Sequence, residues 1–346
     1  MMFRLRKVFS ALLPATSALA VTYRGADFSS LPILEADGQS YSDGGTTQAL
    51  ETILANYGTN LARIRVWAAD DSDYNLADMV ALGVRANAAG MDVMVDLHYS
   101  DTWADPGKQG TPAGWATDLS GLDSAIYDYT LYAVQEFVDA GVTPAFVQIG
   151  NEINDGMLWP AGQISENGYE ALSELLHSAS TAVREASSST KIVVHLANGW
   201  DGSAMSSFYD QIFIQGAFDP SDFDVMAFSM YPFYNSGATL ASLQGSLSTL
   251  VSSYNKDIFL VETDWPVDCS DVTLTEPDIP KSVDGQVEWV NDLRSILDDL
   301  AGGHGLGFVY WEPAWIGNGG LGSSCADNLL VEYSGAARSS MSMFSA

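Results

Sequence analysis

Eight short runs rich in β-branched and aromatic residues alternate along this chain with longer stretches of helical periodicity, an order that points to a parallel barrel. The runs predicted as strands are Tyr23 to Asp27, Ala62 to Val66, Asp92 to His98, Phe146 to Gly150, Ile192 to Leu196, Val225 to Tyr231, Ile258 to Glu262 and Gly307 to Trp311. Between them, helical patterns cover 47–57, 76–89, 123–140, 169–186, 203–215, 240–254 and 286–300, and several close on a glycine such as Gly58, Gly90 or Gly141. The expected fold is a single (β/α)8 TIM barrel over residues 21–346. Its last helix is expected to be short or missing, because the tail SGAARSSMSMFSA shows little apolar periodicity.

The first 20 residues read differently. Arg4, Arg6 and Lys7 precede an apolar stretch that ends in Ala18-Leu19-Ala20, the pattern of a secretory signal peptide cut after Ala20. That stretch is too short and interrupted to cross a bilayer of about 30 Å, and no later segment qualifies, so a secreted, extracellular protein is expected. Residues 21–346 carry 11 basic and 44 acidic residues, a net charge of −33 that excludes a phosphate-backbone partner and suits solubility in an acidic medium. In an oxidising compartment Cys269 and Cys325, the two cysteines of the chain, are expected to be paired rather than free. Closing that loop is worth at most about 4 kcal/mol in the chain-entropy picture.

The active face of such a barrel lies at the C-terminal ends of its strands. Asp27, Arg65, Trp67, His98, Asn151, Glu152, His195, Tyr231, Glu262 and Trp311 all fall there. A lone histidine or tyrosine at a strand end is commonly a satisfied core residue, so the coincidence carries the weight. Glu152 and Glu262, after the fourth and seventh apolar runs, would face each other across the cavity as acid/base and nucleophile. Retaining cleavage of an acetal needs two such carboxyl groups about 5–5.5 Å apart with different proton affinities. Asn151 is placed to hold a sugar 2-hydroxyl, while Arg65 and Tyr231 are expected to supply the donors that keep Glu262 ionised.

Nine tryptophans suggest stacking against pyranose rings, with Trp311 as the floor of the central subsite and Trp103, Trp115, Trp200, Trp265 and Trp315 as further candidates along a cleft. Competing motifs fail on context. The run Gly317 to Gly322 fits G-x-G-x-x-G but neither follows a strand directly nor opens a helix, and the four histidines have no metal-ligand spacing. No G-x-S-x-G elbow and no Asn-x-Ser/Thr sequon occur.

Long segments then match one family: TYRGAD from Thr22, RIRVW from Arg63, DLHYSDTWADPGKQ from Asp96, IGNEINDGMLWP from Ile149, YPFY from Tyr231, VETDWPV from Val261 and YWEPAWIGNGGLGSSCADN from Tyr310. In these the chain resembles the arabinogalactan endo-β-1,4-galactanases of glycoside hydrolase family 53, of the fungal type. The resemblance implies hydrolysis of internal β-1,4-galactosyl bonds in pectic galactan, with Glu152 as acid/base and Glu262 as nucleophile. It also implies that Arg65, His98, Asn151, Tyr231 and Trp311 line the central subsite, that Cys269 pairs with Cys325, and that no metal or cofactor is required. The expected partner is a polysaccharide, met by a monomer. Two departures stand out: Ala197 where the family commonly has an acidic residue, implying a lost polar contact, and a tail not amphipathic enough for the usual closing helix, which could expose the barrel edge. A mannanase or cellulase of the same clan would share both glutamates, and a binding protein that has lost catalysis would not need them.

Overall fold

The structure, a computed structural model, describes residues 21–346, so the predicted signal peptide lies outside the described residues. Eight parallel strands close a barrel in chain order: β1 (Tyr23–Asp27), β2 (Leu61–Val66), β3 (Asp92–Leu97), β4 (Phe146–Ile149), β5 (Lys191–Leu196), β6 (Val225–Ser229), β7 (Asp257–Glu262) and β8 (Gly305–Trp311), with β8 pairing back onto β1. All eight predicted runs are strands, displaced by no more than two residues at either end.

Helices form where the side chains can terminate them. Asn75, Asp118, Asp201, Thr239 and Ser282 each accept a hydrogen bond from the backbone N–H three residues on, satisfying an otherwise orphaned donor at a helix start. Gly58, Gly90 and Gly141 follow their helices at φ values of 105°, 91° and 85°, a left-handed turn open to glycine without strain. The first predicted helix starts at Leu50 rather than Thr47, because Thr46–Gln48 pairs instead with Tyr41–Asp43 in a small antiparallel hairpin. The helix Leu31–Ala36 and the turn Ile164–Asn167 have no counterpart among the predicted stretches, being too short to show a period.

The interior of the barrel is built in two layers. Leu61, Met94, Phe146, Val193, Val225, Phe259, Val261 and Val309 form an apolar plug, with Tyr23 packed on Phe146 and Phe259. Above it, two residues further along the strands, the inward positions turn polar: Arg63, Asp96, Gln148 and His195, all at most 1% exposed. The period of two places every such pair on one face, so one strand supplies both plug and polar layer.

The eighth helix is replaced by a 3₁₀ turn, Ser339–Phe344. It does not leave the barrel edge open. Met341, Met343 and Phe344 are buried, Phe344 stacks on Phe308 of β8 at 6.0 Å, and its carbonyl accepts a 2.8 Å hydrogen bond from Arg24 Nε on β1. Six residues are too few to show an amphipathic period, so the closing function was hidden although its apolar side chains were present. A buried Cys269–Cys325 disulfide joins the β7 and β8 loops, 56 residues apart in sequence. Phe344→Ala should cost about 3–5 kcal/mol, read as a lower midpoint in guanidinium denaturation, from the cavity left between β8 and the tail.

Candidate active site

A cleft of about 590 Å³ opens over the C-terminal ends of the strands. Glu152, Glu262, Arg65, His98, Asn151, Tyr231, Trp103, Trp311 and Trp315 line it, together with Asp105, Ala197, Asn198, Ser229, Tyr234, Asn318 and Leu321. The two glutamates arrive by different local devices. After β4 the chain turns through Gly150 at φ 98° and Glu152 at φ 49°, a left-handed bend that swings Glu152 over the mouth. A Cβ on Gly150 would meet the Ile153 side chain at 2.8 Å, so glycine is required there. Gln109 braces the bend by donating to the Asn151 carbonyl at 2.7 Å.

At β7 the device is a register shift: Phe228 pairs with Leu260 but Ser229 pairs with Glu262, skipping Val261. Val261 points into the apolar plug, Glu262 into the cleft, and Thr263 outward, where its hydroxyl accepts from Trp289 Nε1 at 2.9 Å. Such a bulge at a barrel rim re-aims a side chain that strict alternation would send outward.

The donor to Glu262 is Arg63, which corrects the expectation for Arg65. Arg63 Nη1 lies 3.0 Å from Glu262 Oε1 and 3.0 Å from Asp27 Oδ2, and its Nη2 lies 2.9 Å from Asp96 Oδ2 and donates to Asn151 Oδ1 at 2.9 Å. Arg65 sits one layer higher, paired with Glu312 and, at 3.4 Å, with Asp27. Both arginines share the inward face of β2, and only the pairing across the barrel tells which one meets Glu262. Tyr231 does donate to Glu262, at 2.9 Å to Oε2.

Among the described residues no cation forms an ion pair with Glu152. Ser229 Oγ donates to its Oε1 at 2.5 Å and is held in turn by His195 Nε2 at 2.8 Å. Burial first, and the charge of Glu262 second, push the Glu152 carboxyl up to about 8, against the pull of Ser229 and of the more distant Arg63 charge. Burial raises Glu262 too, but Arg63 and the Tyr231 hydroxyl resist it, so Glu262 is the first of the pair to ionise. Burial also disfavours the Asp96 charge, yet Arg63 and His98 outweigh it and hold Asp96 at about 2. Burial keeps His195 neutral, well below its ordinary range, helped by Arg63. His98 Nδ1 accepts from Trp67 Nε1 at 3.3 Å and the Ala104 N–H at 3.4 Å, which places its proton on Nε2, toward Asp96.

Asn151 gives one amide hydrogen to the Ala104 carbonyl at 2.8 Å, leaving the other for a ligand in the cleft. Ala197 lies on the wall with its backbone clamped by the Asn154 amide at 2.8 and 3.0 Å. Trp265 is not in the cleft: it is fully buried, its ring against Trp289 and its Nε1 donating to the Pro280 carbonyl at 2.9 Å. Trp115 packs on Tyr129 and Trp200 lies against Gly237, and neither is among the residues that line the cleft. The Gly-rich run, read as a plain loop, walls the cleft through Asn318, Leu321 and Gly322. No group of three or more metal-binding side chains is found among the described residues.

The match to known proteins agrees with this geometry. The model of glycosyl hydrolase family 53 matches residues 23–344. The chain belongs to this family. It is 45% identical over 333 residues to an arabinogalactan endo-β-1,4-galactanase of Thermothelomyces thermophilus, covering 94% of this chain and 99% of that one. To arabinogalactan endo-β-1,4-galactanase A of Emericella nidulans it is 46% identical over 339 residues, covering 94% and 95%. Among solved structures, a fungal β-1,4-galactanase superposes with a TM-score of 0.91 at 45% identity, over 94% of this chain and 99% of that one. The family 53 catalytic domain of Ignisphaera aggregans superposes with a TM-score of 0.82 at 30% identity, over 98% and 99%.

For this family 53 chain the raised Glu152 affinity has a stability consequence. A carboxyl that holds its proton more tightly folded than unfolded costs stability as pH rises from the unfolded value toward about 8, and costs nothing below it. Glu152→Gln should therefore raise the Tm at pH 7, on a scale of about 2–4 °C per kcal/mol for a large domain, and leave it unchanged at pH 4. Calorimetry at the two pH values reads the difference.

Proposed function

We propose that this family 53 glycoside hydrolase is a secreted, monomeric retaining endo-β-1,4-galactanase, with Glu262 the nucleophile and Glu152 the acid/base. The observation that carries the role assignment is the unequal surroundings of two carboxyl groups in one cleft: Glu262 beside Arg63 and Tyr231, Glu152 beside Ser229 alone. The substrate reading is supported by relatives at 45–46% identity named as arabinogalactan endo-β-1,4-galactanases. The secretion reading rests on the Arg4-to-Ala20 leader and on the disulfide.

The reaction follows from those surroundings. Protonated Glu152 delivers its proton to the glycosidic oxygen as the Glu262 carboxylate attacks the anomeric carbon, giving a galactosyl ester. Esterification removes the negative charge of Glu262, and with it part of what held the Glu152 proton, so Glu152 becomes a base able to take a proton from the incoming water. Asn151 supports the oxocarbenium by holding the 2-hydroxyl. Trp103, Trp311 and Trp315 offer partly exposed indole faces to the apolar side of galactose rings.

The pH profile of kcat/KM should be bell-shaped, the alkaline limb from Glu152 and the acid limb from Glu262. Tyr231→Phe removes a donor to ionised Glu262, so the acid limb should move up and kcat/KM fall by about 10–100-fold. Ser229→Ala removes the donor to ionised Glu152, so the alkaline limb should move up.

The deciding experiment incubates the mature protein with linear β-1,4-galactan, β-1,3-galactan, mannan and carboxymethylcellulose and sizes the products. Short oligosaccharides from β-1,4-galactan alone are expected, with Glu262→Gln slower by about 10⁴-fold or more. Cleavage of mannan or cellulose would overturn the substrate and keep the mechanism. A folded protein that binds β-1,4-galactan without cutting it would overturn both.

A further inference from the structure

Arg65 lines the cleft yet is only 1% exposed, and it does not reach Glu262. Two of its three guanidinium nitrogens are bound by acids and a hydroxyl, Glu312 and Ser30 at Nη2, the latter at 2.9 Å, and Asp27 at Nη1, while Nε has no hydrogen-bond partner among the described residues. Aromatic rings rather than water surround the guanidinium carbon. The guanidinium carbon lies 4.2 Å from the Tyr74 ring centroid, 4.6 Å from Trp103, 5.6 Å from Trp311 and 5.8 Å from Trp315. Trp103 comes from the loop after β3, Trp311 from the end of β8 and Trp315 from the loop after it, and the three rings touch one another over the same spot. Trp103 stacks on Trp315 at 6.1 Å and 23°, and meets Trp311 edge-on at 6.1 Å.

We propose that Arg65 is a positioning residue of the sugar platform: its charge, held edge-on by Glu312 and Asp27, sets the planes of Trp103, Trp311 and Trp315, and the sugar meets the rings rather than the guanidinium. The inference rests on the galactanase reading for its substrate, but the ring arrangement is independent of it. A desolvated cation within about 6 Å of a ring centroid is attracted to the ring face. One cation shared by four rings biases all of them toward one arrangement, adding to the edge-on packing of Trp103 against Trp67 and Tyr74. Lysine cannot replace it, because an ammonium has no plane to stack and no fork to hold two acids. The burial of Arg65 under partly exposed indoles puts the contact surface on the rings.

The test uses the full mature chain and two variants. The double variant Arg65→Met with Glu312→Gln removes the cation without leaving that buried carboxylate unpaired, and Arg65→Lys keeps the charge but not the plane. Without substrate, near-UV circular dichroism reads the stacked Trp103–Trp315 pair. With linear β-1,4-galactan, kcat, KM and the pH limbs are measured. The double variant is expected to lose the tryptophan signal and raise KM by about tenfold, with kcat within about threefold of the parent and both pH limbs in place. Arg65→Lys should restore neither the signal nor KM fully. Unchanged dichroism and KM in the double variant would overturn the proposal, as would a moved pH limb or a fall in kcat alone, which would mark an electrostatic role at Glu262. Full recovery in Arg65→Lys would overturn the need for a planar cation, and if the double variant does not fold, the lysine variant decides by the same readings. Failure of the parent protein to cleave β-1,4-galactan would overturn the substrate reading while the dichroism still judges Arg65.

Discussion

Arg63 stands at the centre of this barrel, and its pairing constrains nearly everything above the apolar plug. A guanidinium 1% exposed can persist only if its charge and its donors are answered, and here Asp27, Asp96, Glu262, Gln148 and Asn151 answer them from β1, β3, β7 and the end of β4 with its following turn. Removing one partner from such a set is costly, because the others are left charged and dry. The arrangement therefore fixes the orientation of Glu262 and Asn151 at the same time. A single buried cation couples the frame of the cleft to its chemistry.

The same low-dielectric surroundings that make Arg63 expensive make the two glutamates different. Both are lifted by burial, and they differ because Glu262 pairs directly with Arg63 and the Tyr231 hydroxyl, whereas Glu152 feels Arg63 only at a distance, accepts from the Ser229 hydroxyl and is pushed further up by the Glu262 charge. Glu152 is also held in a left-handed backbone conformation that a non-glycine residue adopts at some cost. Strain and a proton held too tightly gather on the residue proposed to give that proton away. The fold accepts these costs because the lower layer of the barrel is well-packed aliphatic and aromatic side chain. A net charge of −30 for the whole chain adds self-repulsion that lessens as carboxylates protonate, so acidic medium relieves this repulsion and the cost of ionising Glu152 together.

Much of this was legible in the residues. The eight strands, the glycine caps, and Glu152 and Glu262 after the fourth and seventh strands come from local patterns, since a strand end, a cap or a half-buried run is decided by neighbours a few residues away, while the cysteine pair comes from an expected oxidising compartment and a count of two thiols. What stayed hidden has a common cause. Arg63 and Arg65 look alike in RIRVW, and the choice between them needs the stagger across β1, β2 and β3. Trp265 and Trp311 both lie at or near a strand end, but Trp265 turns toward the helix Val283–Asp298 and Trp311 toward the cleft. Ser229 became visible as a partner of Glu152 only once the chain had closed.

Alternation of strand and helix, together with carboxylates placed at strand ends, determined the barrel and the candidate pair from the sequence alone, because both are set by spacing along the chain. Which arginine meets Glu262, which tryptophans face the cleft, how the tail covers β8 and how far the two glutamates diverge in proton affinity were decided by the tertiary structure. Those outcomes depend on register between strands that are tens of residues apart, and on burial, a property that no residue carries until the barrel closes around it.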